Sequence, residues 1–313
     1  MELLGGSMKR YVLRRLVYGV ITVWILSIII FVASRLGPDP VLMMTDPMAS
    51  ESDLQRLRED FSLDKSWPVQ YFVFISKALK GDFGESVYYG VPVTDVVLDA
   101  ALPTVQLIVA GMIFSLVVGL GAGVIAAKSH KKWVTFAVRM FSYLGLSIPN
   151  FWFSMLLILV FSIWIGVLPI SGSGGLKHLI LPAIALGFHF CASYTRIIHS
   201  SLLEVLNQEY IKLARLKGLS ETIVVGKHAF RNAVLPVLTI AGMRVVIMVS
   251  AAVAIEAVFA YPGLGHLMYQ GATNRDFNTV QCVVLVLGVT MVLINLLVDI
   301  LYAYVDPRIR YYA

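Results

Sequence analysis

The sequence predicts an all-α integral membrane protein: six transmembrane helices, a long external loop after the first, and a cytoplasmic loop of two short helices between the fourth and fifth. Three observations carry this. Charged residues occupy 14% of 313 positions and hydrophobic residues 58%, whereas a soluble domain carries about 25% charged residues. Five stretches contain no Asp, Glu, Lys or Arg: Leu16–Ser34, Thr104–Ala127, Met140–Pro169, Leu179–Thr195 and Phe277–Val298. Each is near or above the roughly 17 to 25 residues that cross ~30 Å of hydrocarbon, and a sixth, Pro236–Ala260, is broken only by Arg244 and Glu256. Finally, basic residues gather in alternate loops.

The first span follows Lys9, Arg10, Arg14 and Arg15, which places the N-terminus in the cytoplasm by the positive-inside rule. It is too long for a secretory h-region of ~7 to 15 residues and lacks a small-residue cleavage site, so it is expected to remain. Met1–Ser7 precede a second methionine, Met8, and read either as an alternative start or as an added leader. Lys128, Lys131, Lys132 and Arg139 flank the second loop, Arg196, Lys212, Arg215, Lys217, Lys227 and Arg231 the fourth, and Arg308 and Arg310 the tail. The short outer loops hold Lys177 and Arg275. Both termini are therefore expected in the cytoplasm. The resulting division is 1–36 (N-terminus and first span), 37–103 (external loop), 104–306 (core with spans two to six, enclosing the cytoplasmic loop 197–235) and 307–313 (tail).

The external segment carries eleven acidic against five basic residues. Leu54, Leu57, Phe61 and Leu63, then Val69, Phe72, Val73 and Ile75, have the spacing of two short amphipathic helices, with Ser50 or Ser52 available to cap the first. Gly81, Gly84 and Gly90 mark turns before Val93–Ala101 leads into span two. The segment is either a solvated cap over the external mouth or a docking surface for a delivery protein.

Span two holds Gly111, Gly119, Gly121 and Gly123, small residues that let membrane helices approach closely. Span three is interrupted by Ser147-Ile148-Pro149-Asn150, where proline removes a helical hydrogen bond. Pro149 and Asn150 are candidates for the pathway, a packing kink being the alternative. Pro182 is expected to open span four. Glu256 lies near the end of span five, before Ala260–Gly265 (AYPGLG). A carboxylate costs ~2.5 to 3.5 kcal/mol at the centre of a membrane helix and less toward an interface. Glu256 is thus expected to face the bundle, a partner or water, as a gate together with Pro262 and Gly263 or as a structural partner of the turn. Arg244, about 120° around an ideal helix from it, is not its pair. Asp299 is placed to be solvated or to pair with Arg308.

His189 and Cys191 are rotated ~200° apart on a helix and cannot chelate one ion unaided. No metal site is expected. The cysteines, Cys191 and Cys282, fall inside spans, so no external disulfide is expected. No GxxxxGK[ST], HExxH or GxSxG frame is present, so no catalytic residue is assigned and any energy must come from elsewhere.

Within the fourth loop, Leu202, Leu203, Leu206, Tyr210, Leu213 and Leu216 recur at helical spacing. Gly218 ends that helix in the position where a left-handed cap suits glycine, with Arg215 and Lys217 at the negative C-terminal end. Ser220 can cap a second helix, Glu221–Ala233, before Pro236 starts the next span. Two short helices meeting at a glycine form a knob able to pass a rigid-body push to the flanking spans.

Here the sequence resembles the permease subunits of bacterial ABC importers, in the peptide/nickel (dipeptide and oligopeptide permease B-like) branch. The stretches that carry the resemblance are YVLRRL (Tyr11–Leu16), GDFGES (Gly81–Ser86), SIPNFW (Ser147–Trp152), EYIKLARLKGLS (Glu209–Ser220), HAFRNAVLP (His228–Pro236), EAVFAYPGLG (Glu256–Gly265), NRDFNTVQ (Asn274–Gln281) and DPRIR (Asp306–Arg310). They span nearly the whole chain. Relative to the general EAA-loop pattern, Lys212 and Leu213 replace its Glu and first Ala, Ala214 and Gly218 match, the leucine-proline lies farther downstream, and Glu209 is a candidate substitute for the displaced glutamate.

The resemblance implies a heterodimer of two homologous permeases in the bacterial inner membrane, bound to two ABC ATPase subunits that hold ATP and Mg, and fed by an extracytoplasmic solute-binding protein. Membrane lipid is a further expected partner and nucleic acid is not. Glu209, Lys212, Ala214, Arg215, Lys217, Gly218, Leu219 and Ser220 would form the ATPase-coupling helix. The chain would bind no cofactor, and its substrate would be a di- or oligopeptide, nickel or a metal chelate. The competing class is a secondary transporter or channel, which needs coupling-ion or selectivity groups inside the spans. Arg244, Glu256 and Asp299 are a poor supply of them.

Overall fold

The computed structural model describes residues 2–36, 55, 64–129 and 131–305. Apart from Gln55, the helix expected over Leu54–Leu63 lies outside them, as do the caps at Ser50 and Ser52, and Arg308 and Arg310. Among the described residues the only β structure is one bridge, Glu85 to Pro92. Among the described residues five helices are long and apolar enough to cross a membrane, six where the bent pair counts as one span. The chain is a multi-pass membrane protein built from two compact units, 1–102 with 263–313, and 103–262.

In the first unit, α1 (Glu2–Arg35) and the last helix among the described residues, Phe277–Val305, run antiparallel. Arg15 pairs with Asp299 at 2.9 Å, a Cβ on Gly19 would lie 2.7 Å from Val292, a Cβ on Gly288 would lie 2.2 Å from Leu26, and Gln281 donates to Ser34. Small residues thus alternate with polar ends along the seam, as expected where lipid removes the hydrophobic incentive and close packing must supply the association. Asp299 finds Arg15 on the neighbouring helix. α2 (Trp67–Ala78) confirms the second amphipathic helix of the external segment. Tyr71 stacks edge-on against Phe31 at 5.5 Å and shares a 2.8 Å hydrogen bond with Ser27.

The second unit is organised on one helix. α3 (Val93–Lys128) begins in the first unit, carries Pro103 inside it, and continues through the second. α4 (Lys132–Ser147) and α5 (Asn150–Leu157, widening into a π-helical stretch, Ile158–Trp164) form the bent pair, and α6 (Leu176–Leu206) is the central element. Leu181, Leu186, Phe190, Tyr194, Ile198 and Leu202 of α6 are buried. Against them lie Gly111, Gly119 and Gly123 of α3. A Cβ at Gly123 would sit 2.2 Å from Ile198 Cγ2 and 2.6 Å from the Thr195 carbonyl oxygen, and one at Gly119 2.9 Å from the Cys191 oxygen. Gly187 answers from α6, where a Cβ would approach the Gly111 oxygen to 2.5 Å. Gly121 faces open space and belongs to no such contact.

Two expectations need correction. α6 starts at Leu176, so Pro182 does not open span four but sits inside it, buried. Near a helix start, proline forfeits one bond, and packing on both faces of α6 holds the turn through it. The apolar recurrence from Leu202 to Leu216 is also not one helix. The chain leaves α6 at Asn207 and passes through an extended Gln208 (φ −71°, ψ 150°) before α7 (Glu209–Leu216) begins.

Candidate functional site: the α7–α10 connection

After α7 the chain turns at Gly218 and rises again through α8 (Glu221–Ile223), a π-helical stretch over Val224–Ala229, α9 (Phe230–Ala233) and α10 (Leu235–Val258). Gly218 has φ +77°, the left-handed region in which a side chain is strained and glycine is not. The Leu219 N–H reaches back to the Ala214 carbonyl at 3.4 Å, and the Gly218 N–H to that of Arg215 at 2.9 Å, the bonds of a left-handed helix cap.

Three side-chain ties brace the hairpin. Lys212 meets Glu209 at 2.7 Å within α7. Arg215 reaches across the turn to Glu221, Nε to Oε1, at 2.7 Å. Asn232 donates to the Tyr210 hydroxyl at 2.8 Å, joining the first turn of α7 to α9. Ile211 and Ala214 point inward with Val224, Val225, Ala229 and Ala233 to make a small apolar interior. Ser220 occupies the cap position of α8 with extended dihedrals (φ −63°, ψ 147°), but its side chain makes no capping hydrogen bond. Lys217 is the C-cap residue of α7 and Leu219 is half-buried behind it.

The face of α7 expected to be its apolar stripe is turned outward. Tyr210 is exposed, Leu213 is 57% exposed and Leu216 83%. Ile211 and Ala214 take the interior instead, because the break at Gln208 resets the helix phase inherited from α6.

The span-three interruption is a full break. Ile148, ahead of proline, is held out of the α region at φ −81°, ψ 125°, as the clash with the proline ring demands. Pro149 follows at φ −62°, ψ 136°, and α5 restarts at Asn150. The two segments differ in direction by 111°. Phe188 of α6 holds the elbow: its ring stacks on Phe153 of α5 at 4.1 Å and meets Phe141 of α4 edge-on at 5.4 Å. Pro149 is exposed and Asn150 half-buried.

Glu256 is fully buried, at 0% exposure. Its backbone carbonyl accepts the Tyr261 N–H at 2.9 Å, closing the end of α10 with Ala260 in the left-handed region at φ 44°. The Phe259 carbonyl accepts from Gly172 at 3.1 Å, so the turn before α6 is sewn to the end of α10. Pro262 is exposed, and Gly263 is the N-cap of α11 (Leu264–Thr273).

Comparison with known proteins now decides the family. Residues 119–311 match the binding-protein-dependent transport system inner membrane component, and residues 8–107 match its N-terminal region. The chain belongs to this family. It is 36% identical over 305 residues to the glutathione transport system permease protein GsiC of Escherichia coli K12, covering 97% of this chain and all of the relative. It is likewise 36% identical over 316 residues to the oligopeptide transport system permease protein AppB of Bacillus subtilis, with 97% and 100% coverage. Among solved structures it matches the MetNI methionine ABC transporter in an inward-facing conformation, with TM-score 0.54 at 22% identity over 67% of this chain and 96% of that one. An amino acid ABC transporter matches with TM-score 0.52 at 15% identity over 66% and 92%. These two likenesses establish the fold. The chain is an inner-membrane, multi-pass permease subunit of an ABC importer.

Within the first unit of this permease, one cluster joins segments that no sequence motif connects. Asp276, fully buried, accepts from the hydroxyls of Ser86 and Thr279 and from the Thr279 N–H. Asn278 donates to the Glu85 carbonyl at 3.0 Å, and the Tyr89 hydroxyl to Gln270 at 2.7 Å. GDFGES and NRDFNTVQ, which the sequence presents as separate motifs, are the two halves of one latch. The signal available beforehand was an aspartate three residues ahead of a threonine at the start of a helix, which is a capping pattern.

Proposed function

We propose that this chain forms half of the translocation pathway of an ATP-driven importer for short peptides, pairing with a second homologous permease, two ATPase subunits that carry ATP and Mg, and an extracytoplasmic solute-binding protein. The α7–α9 hairpin is the coupling element. The observation that carries this is its combination of rigidity and an unused apolar face: Arg215–Glu221 and Tyr210–Asn232 fix the two arms about Gly218, while Leu213 and Leu216 stand exposed. A groove on an ATPase subunit would cover them, with Lys212, Lys217 and Glu209 at the polar rim. The basic residues of the same loop favour a cytoplasmic position, and with it cytoplasmic termini.

Closure of the ATPases on ATP would push the hairpin as a unit. α6 enters it and α10 leaves it, so a rigid push there rocks both spans and alternates the access of the path. The elbow at Pro149 and Asn150, held by Phe188, and the turn from buried Glu256 to Pro262 and Gly263 are the elements assigned to line or gate that path. The peptide class rests on the relatives, whose names specify glutathione and oligopeptides.

The hairpin assignment is tested by placing cysteine at Leu216 and at exposed Leu176, the far end of α6, in the complete transporter and adding a short bifunctional thiol reagent. Cross-linking of the Leu216 position to an ATPase subunit, weakened by ATP, is expected. Cross-linking from Leu176 instead, or from neither, contradicts the assignment.

A further inference from the structure

Away from the hairpin, α4 and α6 enclose a cavity of about 110 Å³ that the transport cycle leaves without a role. It closes against Ala126, two residues before the end of α3, and so lies within a turn of the connection between Lys128 and Lys132. Arg139 reaches it from α4, Arg196 and His199 reach it from α6, and Tyr143 stands at its edge. Ser142 and Thr195 are buried in its floor, but each hydroxyl already donates to a carbonyl of its own helix, at Val138 and Cys191. The donors left for a ligand are the two guanidinium groups, the imidazole, the phenol and the hydroxyl of half-buried Thr135 on α4.

No aspartate or glutamate lines the cavity, and neither arginine has an ion-pair partner among the described residues. Both arginines are exposed; two cations on neighbouring helices at a membrane boundary repel one another, and an anion between them reverses the sign of the interaction. The flank selects the anion. Trp133, Phe136, Met140 and Leu144 run along the exposed side of α4 beside the cavity. This apolar strip suits acyl chains, with Trp133 and Tyr143 of the types that settle at the headgroup level.

We propose that this cavity seats the phosphate of an anionic phospholipid, in the leaflet on the basic side of the protein. That leaflet is the cytoplasmic one if the orientation given under the proposed function holds. Basic pockets between membrane helices are suited to such headgroups. The lipid joins α4 to α6 at Arg196 and His199, within the last three turns of a helix that ends at Leu206, and so stiffens the root of the coupling element.

The complete transporter, delipidated in detergent and titrated with phosphatidylglycerol, phosphatidylcholine or inorganic phosphate, is read by native mass spectrometry. Phosphatidylglycerol is expected to remain bound where phosphatidylcholine does not. Arg139→Gln with Arg196→Gln should weaken it by about tenfold or more, the corresponding double lysine variant should retain it, and Lys131→Gln with Lys132→Gln should leave it unchanged. Equal retention of both lipids, or unchanged retention in the double glutamine variant, overturns the site. Displacement of the lipid by inorganic phosphate at comparable concentration overturns the lipid assignment in favour of a free-anion site. Failure of the transport reading would appear separately, as absence of ATP-driven uptake by the unaltered protein.

Discussion

Arg215 and Glu221 meet at 2.7 Å across the Gly218 turn, so the two arms of the α7–α9 hairpin are tied within one turn of their junction. Both side chains are exposed, 41% and 56%, and an exposed pair contributes about 1 kcal/mol or less to stability. Arg215→Gln is therefore expected to leave the melting temperature of the purified transporter nearly unchanged while lowering uptake per ATP hydrolysed. The charge-reversed double variant, Arg215→Glu with Glu221→Arg, should recover most of it. Equal loss in both variants would assign the effect to Arg215 and its contact with a partner instead.

The Asp276 latch is a different kind of contact. A buried carboxylate that accepts two hydroxyls and a backbone N–H leaves those donors stranded when removed, at about 1 to 3 kcal/mol. Asp276→Ala should lower thermal stability on that scale and raise hydrogen exchange in residues 82–92. Ser86→Ala takes one hydroxyl from Asp276, which keeps the Thr279 hydroxyl and N–H, and leaves only the Tyr89 N–H without its acceptor, so it should cost less. A loop whose exchange is unaffected by Asp276→Ala would contradict the latch.

Close approach of α3 and α6 makes Gly123 intolerant. A methyl there meets both a side chain at 2.2 Å and a backbone oxygen at 2.6 Å, and the backbone oxygen cannot rotate away. Gly123→Ala should destabilise by about 1 to 3 kcal/mol through overpacking. Gly121→Ala, which faces open space, should be neutral. Thermal denaturation of the two variants in detergent separates them.

Glu256→Gln keeps the volume and most hydrogen-bonding capacity of a fully buried group while removing its charge. Uptake is expected to fall while expression and co-purification of the partner subunits stay normal. Loss of expression alone would make Glu256 a structural residue of the α10 turn.

Local rules carried much of this protein from its sequence. Gly218 was readable because a left-handed cap needs glycine, and the break at Pro149 because proline bars its predecessor from the helix. The glycines of α3 were readable as a packing face, except Gly121, since the sequence alone does not set the phase of a helix that is apolar all round. What escaped depends on distance along the chain or on phase. Ser86 and Asp276 are 190 positions apart, and nothing in either segment names the other. Phe188 bridging Phe141 and Phe153 depends on a bend whose angle no local pattern gives. Leu213 and Leu216 fall on the apolar stripe of the sequence, but the break at Gln208 turns that stripe to the outside.

The hairpin as a coupling element is tested most directly at Gly218. A β-branched residue there is forced toward φ +77° at roughly 1 to 2 kcal/mol, enough to reset the turn without unfolding the spans. In proteoliposomes holding the complete transporter and its binding protein, with ATP inside the compartment that faces the ATPases and no ion gradient, the unaltered protein should accumulate a labelled short peptide. Gly218→Val should continue to hydrolyse ATP or lose its ATPase subunits, and in either case fail to accumulate. Normal assembly with uptake per ATP equal to that of the unaltered protein would contradict the coupling role of the hairpin.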